Sequence, residues 1–179
     1  MKIQTFSGRL VNPFDLRHTD LSAIDIAESL SKQCRFNGHT KRFYSVAEHC
    51  YLASLMIRGD KRLRLAALVH DANEAYLGDW PSPLKLHPII GPAFLSAERT
   101  VQGAINCWLG MPHDIDCMPE IHEVDQRMLA TEKRDLLTEP EIPWETPFAP
   151  YPDVNLLNEV SPKRARTLWL NRLVELFVG

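Results

Sequence analysis

The stretch LAALVHDANEAYLGDWPSPLK, residues 65 to 85, sets an imidazole beside a carboxylate at His70 and Asp71 within an otherwise apolar run. Burying either group without a partner is costly, so the pair must face a metal, a hydrogen-bonding partner or water. Glu74 follows His70 by four residues and Asp71 by three, which on a helix brings all three side chains to one side. A lone His-Asp dipeptide arises by chance in roughly one chain in five of this length, so alone it decides nothing. Two further positions add weight. His49 lies in the first turns of a separate helical pattern, and Asp125 interrupts the apolar face of Ile121, Val124 and Met128. Two imidazoles and two carboxylates suit one divalent transition metal, Mn, Co, Fe or Zn, and are too rich in nitrogen for a typical Ca or Mg cage. An ion held by four side chains keeps positions open for a phosphoryl oxygen and a water, whose pKa it lowers.

These side chains need helices to carry them. Ser45 can cap a helix while Glu48 reaches back to it, with Val46, Cys50, Ala53, Met56 and Ile57 as its apolar stripe. Leu65, Leu68, Val69, Ala72 and Ala75 predict one continuous helix from Lys61 to about Tyr76, ended by Gly78. Helices are also predicted over 92–109 before Gly110, from Pro119 to about Leu137, and over 161–179 from Ser161-Pro162. Ser22 and Asp25 resemble a capping box ahead of Ile26, Ala27 and Leu30, and residues 2–11 read as a short hairpin or extended arm. Five prolines between Glu139 and Pro152 exclude a helix or central strand, leaving an ordered loop or lid. The expectation is an all-α single domain over 1–179: a helical core over about 22–137, a Pro-rich loop over 138–160, then a last helix. Its surplus of apolar residues, Phe94, Leu95, Trp108 and Trp169 among them, points to a homo-oligomer.

A chain of 179 residues with 45% apolar and 24% charged content is ordinary for one globular domain. The net charge of −3 offers no basic surplus for polymeric nucleic acid or a membrane surface, while a small anion needs only local cations. Cys34, Cys50, Cys107 and Cys117 show no CxxC pairing, the N-terminus lacks a signal-peptide core, and no apolar run reaches the roughly 20 residues that span a bilayer. A reducing cytoplasm is expected, that of a bacterium or of an infected host cell.

The order of His49, then His70-Asp71, then the distant Asp125 resembles the HD superfamily of metal-dependent phosphohydrolases over about residues 22–137. It is most similar to small bacterial 5'-deoxynucleotidases and phage deoxynucleoside triphosphohydrolases. Arg35 and the aromatic Phe36 stand ahead of His49 in CRFNGHTKRFYSVAEH, HDANEAYLGDWPSPLK matches the extended motif of those relatives, and EVDQRML carries the late aspartate. The resemblance implies a helical HD domain, an oligomer, and hydrolysis of the bond between the 5'-oxygen and the α-phosphorus of a 2'-deoxynucleotide. A monophosphate gives phosphate and a triphosphate gives triphosphate, with additional divalent ions accompanying the latter. Glu74 is the candidate for orienting or deprotonating the attacking water, because a carboxylate one turn from the ligands can reach it. Asp79 is implied at the substrate or the leaving 5'-oxygen. Arg35 offers a bidentate fork for phosphate and Lys85 a second charge; Phe36 is implied at base or sugar, and His39 lies beside that segment. Arg17, Lys41, Arg42 and Lys85 are candidates for the outer phosphates of a triphosphate. His18, His87 and His113 read as surface residues, and His122 has no counterpart in the resemblance. A cyclic-nucleotide phosphodiesterase or a non-enzymatic nucleotide-binding protein of the same fold are the alternatives.

Overall fold

In the computed structural model, which describes residues 1–178, the first long element is helix α1 (Ala23–Lys32), where Ser22 accepts the Asp25 amide at 3.4 Å. The reciprocal half of the expected box is absent. Asp25 instead accepts from the amide and hydroxyl of Ser7, at 2.7 and 2.8 Å, which ties the N-terminal arm to the helix. That arm is the expected hairpin: β1 (Ile3–Gln4) pairs antiparallel with β2 (Leu10–Val11).

Helix α2 (Val46–Met56) is capped by Ser45, which accepts the Glu48 amide at 3.1 Å. Here too the box is half made. The Glu48 carboxylate takes two hydrogen bonds from Arg42, at 2.8 and 3.1 Å, and a bidentate charged pair outcompetes a neutral backbone amide. Helix α8 (Pro162–Val178) packs across α1, α2 and α3 (Lys61–Val69). Buried Ala47 and Ala53 on α2 and Ala66 and Ala67 on α3 let those two helices approach closely. Trp169, only 1% exposed, fills the centre and donates its indole N–H to the Leu68 carbonyl at 2.9 Å. It belongs to this core and not to a surplus apolar surface. Phe94 is half-buried, stacked on Trp80 with ring centroids 4.2 Å apart. Gly179, the end of the expected last helix, lies outside the described residues.

The helix expected from Lys61 to Tyr76 is broken. α3 stops at Val69 and α4 (Glu74–Leu77) follows after a tightened turn in which Ala72, Glu74, Ala75 and Tyr76 each donate three residues back. The side chain of Gln102, from helix α6 (Gly91–Trp108), occupies the break: it accepts the Asn73 amide at 3.1 Å and donates to the Val69 carbonyl at 2.8 Å. Those are the two backbone groups that would bond each other in a regular α-helix. A short helix not expected from the sequence, α5 (Ser82–Lys85), carries Lys85; Gly91 is required beside it because a Cβ there would collide with the Lys85 carbonyl.

Helix α7 (Pro119–Leu136) starts and stops within a residue of expectation. The segment 137–161 contains no helix or strand. It runs as an ordered strap on α7: the Tyr151 amide donates to Thr131 Oγ1 at 2.9 Å, the Leu156 amide to Asp135 at 3.0 Å, and Arg134 reaches the Tyr151 carbonyl at 3.0 Å. The four cysteines are free, and no helix among the described residues is long and apolar enough to cross a membrane. The fold is all-α apart from the N-terminal ribbon.

Candidate metal centre

Three segments meet at one point. His49 comes from the first turn of α2, His70 and Asp71 from the turn that closes α3, and Asp125 from the second turn of α7. His49 Nε2 lies 3.2 Å from His70 Nε2, 3.2 Å from Asp125 Oδ1 and 3.6 Å from Asp71 Oδ2. His70 Nε2 is 3.3 Å from Asp71 Oδ2 and 3.7 Å from Asp125 Oδ1. Adjacent ligands about 2.1 Å from an octahedral ion stand about 3.0 Å apart, so His49, His70 and Asp125 have the spacing and the chemistry for a divalent cation, and Asp71 stands beside both imidazoles. Two imidazole lone pairs 3.2 Å apart repel unless a proton or a cation lies between them.

The far sides of both imidazoles are fixed. His70 Nδ1 donates to the Ala67 carbonyl at 2.9 Å, and His49 Nδ1 donates to Glu132 Oε1 at 2.5 Å. Each bond leaves Nε2 free to ligate. Glu132 is fully buried on α7, and its other oxygen holds Arg35 at 3.3 Å. Arg35 in turn reaches Asp71 Oδ2 at 3.2 Å. One guanidinium thus braces a ligand and the partner of another ligand. The arginine expected to fork onto a phosphate is here turned to two carboxylates.

Charges inside the cluster hold one another. Burial pushes Asp125 up, but hydrogen bonds from His49 and His70 outweigh it and hold the carboxyl well below the usual carboxylate range. Burial opposes protonation of His70, yet Asp71 foremost, with Cys50 and Asp125, keeps its pKa well above the ordinary imidazole value. His49 is likewise raised, Glu132 and Asp125 overcoming burial and the nearby Arg35. A cation entering this site must displace imidazole protons, so affinity for Co²⁺ or Mn²⁺ should rise with pH. Calorimetry in buffers of different ionisation enthalpy should detect proton release on uptake. Cys50 adjoins His70 and Asp71, and burial lifts its thiol to about 11.

Glu74 is 3% exposed, and its Oε2 has no hydrogen-bond partner; Lys85 Nζ stands 3.8 Å from Oε1. Burial, then the charges of Asp71 and Asp79, raise the Glu74 carboxyl well above its usual range. Asp79 is raised too, by burial first and then by Asp71 against the pull of Arg35. Gln33, just past α1, holds both acidic residues in place by donating to the Glu74 carbonyl at 2.9 Å and accepting the Asp79 amide at 3.1 Å. Lys85 is shared with Glu98 at 2.7 Å and lies over the Phe94 ring.

Phe36 flanks the Arg35 guanidinium, 5.7 Å from Cζ to ring centroid. It and Asn37 adopt left-handed backbone, φ 57° and 51°, a conformation a bulky residue rarely takes without cause. His39 is exposed and makes no side-chain hydrogen bond to the cluster among the described residues; it lines, with Phe36, Lys41 and Pro81, a cavity of about 620 Å³. Arg42 is held by Glu48 with both side chains buried, and Arg17 pairs with Asp20 at the surface, its own side chain mostly exposed. His18, His87, His113 and His122 are exposed.

Glu132 was not legible as a functional residue, lying in the charged run TEKRD, yet its spacing of seven from Asp125 puts it on the same helix face. Glu132→Gln should weaken metal affinity by roughly 10–100-fold through loss of the imidazole orienter. Competition with a chromophoric chelator measures this directly.

No family model matches the chain. Over 134 residues, 75% of its length and 71% of the relative's, it is 39% identical to the uncharacterized protein YfdR of Escherichia coli. It is also 37% identical over 113 residues, 59% of its own length and 57% of the other's, to an uncharacterized protein of Rhodobacter capsulatus. At that identity and coverage, the chain belongs to the family of Escherichia coli YfdR.

Proposed function

We propose that this chain is a metal-dependent phosphohydrolase of the HD superfamily that cleaves the 5'-oxygen to α-phosphorus bond of a 2'-deoxynucleotide. The observation that carries the reading is the convergence of His49, His70, Asp71 and Asp125 beside the buried, unpartnered carboxylate oxygen of Glu74. A divalent cation held by these four side chains supplies charge neutralisation at the phosphoryl group and acidifies water.

The protein's own groups do the rest. Water adds to phosphorus as its proton passes to Glu74, a carboxylate one turn from the ligands whose affinity for a proton is raised by burial and then by Asp71. The bond from phosphorus to the 5'-oxygen breaks, and the departing oxygen takes a proton delivered through Asp79, whose carboxyl is raised by burial. Arg35 and Lys85 offset the phosphate charge from two sides of the cluster. Phe36 offers its ring to the sugar or base, and Lys41, which lines the same cavity as Phe36, is a cation for a longer phosphate chain.

Metal-loaded protein incubated with ribo- and deoxynucleoside mono- and triphosphates tests the reading. Nucleoside should appear from deoxynucleotides in preference to ribonucleotides, with phosphate or triphosphate as the second product deciding the chain length of the substrate. Metal-replete protein that releases nucleoside from no member of the panel would refute it.

A further inference from the structure

The break between α3 and α4 is held by a buried amide ladder. Gln102, 3% exposed on α6, accepts the Asn73 amide at 3.1 Å and one Asn73 side-chain N–H at 3.3 Å. Its NH₂ group donates to the Val69 carbonyl at 2.8 Å and to Asn106 Oδ1 at 3.0 Å. Asn106, fully buried one turn further along α6, donates to the His113 carbonyl at 2.9 Å and to Asp116 Oδ1 at 2.5 Å, in the loop that leads into α7. The ladder therefore joins the segment bearing His70 and Asp71 to the approach of the helix bearing Asp125.

Its effect on side-chain direction follows from helix geometry. An α-helix turns about 100° per residue and a 3₁₀ turn about 120°, so across the four residues 70–73 the difference accumulates to roughly 80°. In the tightened turn, residues three apart eclipse. The Glu74 amide donates to the Asp71 carbonyl at 3.1 Å, three residues back, a turn that sends Glu74 to the same side as Asp71. In a regular helix Glu74 would swing away from Asp71 and toward the side of His70. Nothing in the local sequence VHDANEAY, without Gly or Pro, breaks a helix. The breaking device is the inserted amide.

We infer that Gln102 is a positioning residue: by replacing the Val69 to Asn73 helix bond with its own carboxamide, it sets the turn that aims His70 and Asp71 at the shared cation and lines Glu74 up behind them. The inference rests on the metal-centre reading above. Asn106 extends the same device, fixing the Gln102 amide so that its oxygen faces Asn73 and its nitrogen faces Val69.

The test uses the full chain and Co²⁺ alone, read by titration and by the visible d–d spectrum of the loaded protein. Gln102→Met keeps the side-chain length and helix propensity but neither accepts the Asn73 amide nor donates to Val69. Arg172→Met is the control, since it removes buried hydrogen bonds to Ser54 that involve none of the four ligands and so lowers stability alone. Expected are Co²⁺ binding at one per chain in the unaltered protein, a fall in affinity of about 10-fold or more with an altered spectrum in Gln102→Met, and an unchanged spectrum in Arg172→Met. Should Gln102→Met fail to fold, Gln102→Glu, which retains the acceptor for Asn73 and presents a carboxylate to the Val69 carbonyl, is read in the same way. An unaltered spectrum and affinity in the Gln102 variant would overturn the inference while leaving the metal centre standing. Absence of Co²⁺ binding by the unaltered protein would overturn both.

Discussion

Asp71→Ala yields a folded chain that loses its divalent metal and with it nucleoside release, by three orders of magnitude or more on the scale of a disrupted metal and base assembly. Asp71 contributes an oxygen within 3.3 Å of His70 Nε2 and 3.6 Å of His49 Nε2, and the same oxygen accepts from Arg35 at 3.2 Å. Its removal takes one negative charge from a cluster of two imidazoles and a guanidinium. Arg35 keeps Glu132 as a partner, so the fold survives with a lower Tm. Elemental analysis of the purified variant, with the nucleoside assay, checks the expectation. Full activity and full metal content in Asp71→Ala would show that the site has been misassigned.

Glu74→Gln should separate turnover from both metal binding and stability. The carboxylate is not one of the four ligands, so metal content stays whole; losing a base that accepts the water's proton lowers kcat by roughly 10²–10⁴-fold with little change in KM. Stability should move the other way. The folded-state pKa of Glu74 is raised above its unfolded value, by burial first, so between the two values the folded chain binds more protons than the unfolded one. Stability therefore falls as pH rises through that window, so above it the buried carboxyl is a destabilising feature. An amide of the same shape removes the charge, and at pH values beyond that window the Tm of Glu74→Gln should exceed that of the unaltered protein. A variant both inactive and less stable would point to a structural glutamate instead. A strained, catalytically useful carboxylate that lowers stability is the trade expected at an active site.

What the sequence reveals of this site and what it hides divide along physical lines. His49, His70, Asp71 and Asp125 stand out because each polar side chain interrupts an apolar helical stripe, and a periodic pattern makes an interruption visible. Their neighbours do not interrupt anything. Glu132 lies among Thr131, Lys133 and Arg134 and reads as part of a solvated helix surface, although its side chain is fully buried against His49. Gln102 and Asn106 carry no charge and no motif, and an amide that breaks a helix 33 residues away in sequence leaves no mark on the segment it breaks. The expectation of one helix from Lys61 to Tyr76 failed for that reason: the dihedrals of His70 and Asn73 remain right-handed helical, but the hydrogen bonds around them tighten to three residues back. The two half-made capping boxes share a cause, since Asp25 and Glu48 each found a stronger tertiary partner than the backbone amide that local sequence offered. The left-handed Phe36 and Asn37 were hidden by the rarity of that backbone at phenylalanine, though Asn37-Gly38 is itself a turn signal.

The central claim, that His49, His70, Asp71 and Asp125 grip one cation, is tested most directly by anomalous diffraction at the absorption edge of Co or Mn from crystals of the loaded protein. One anomalous peak per chain is expected, within ligand distance of the two Nε2 atoms and of a carboxylate oxygen from each aspartate. A peak located elsewhere, or loaded crystals with none at this cluster, would contradict the account.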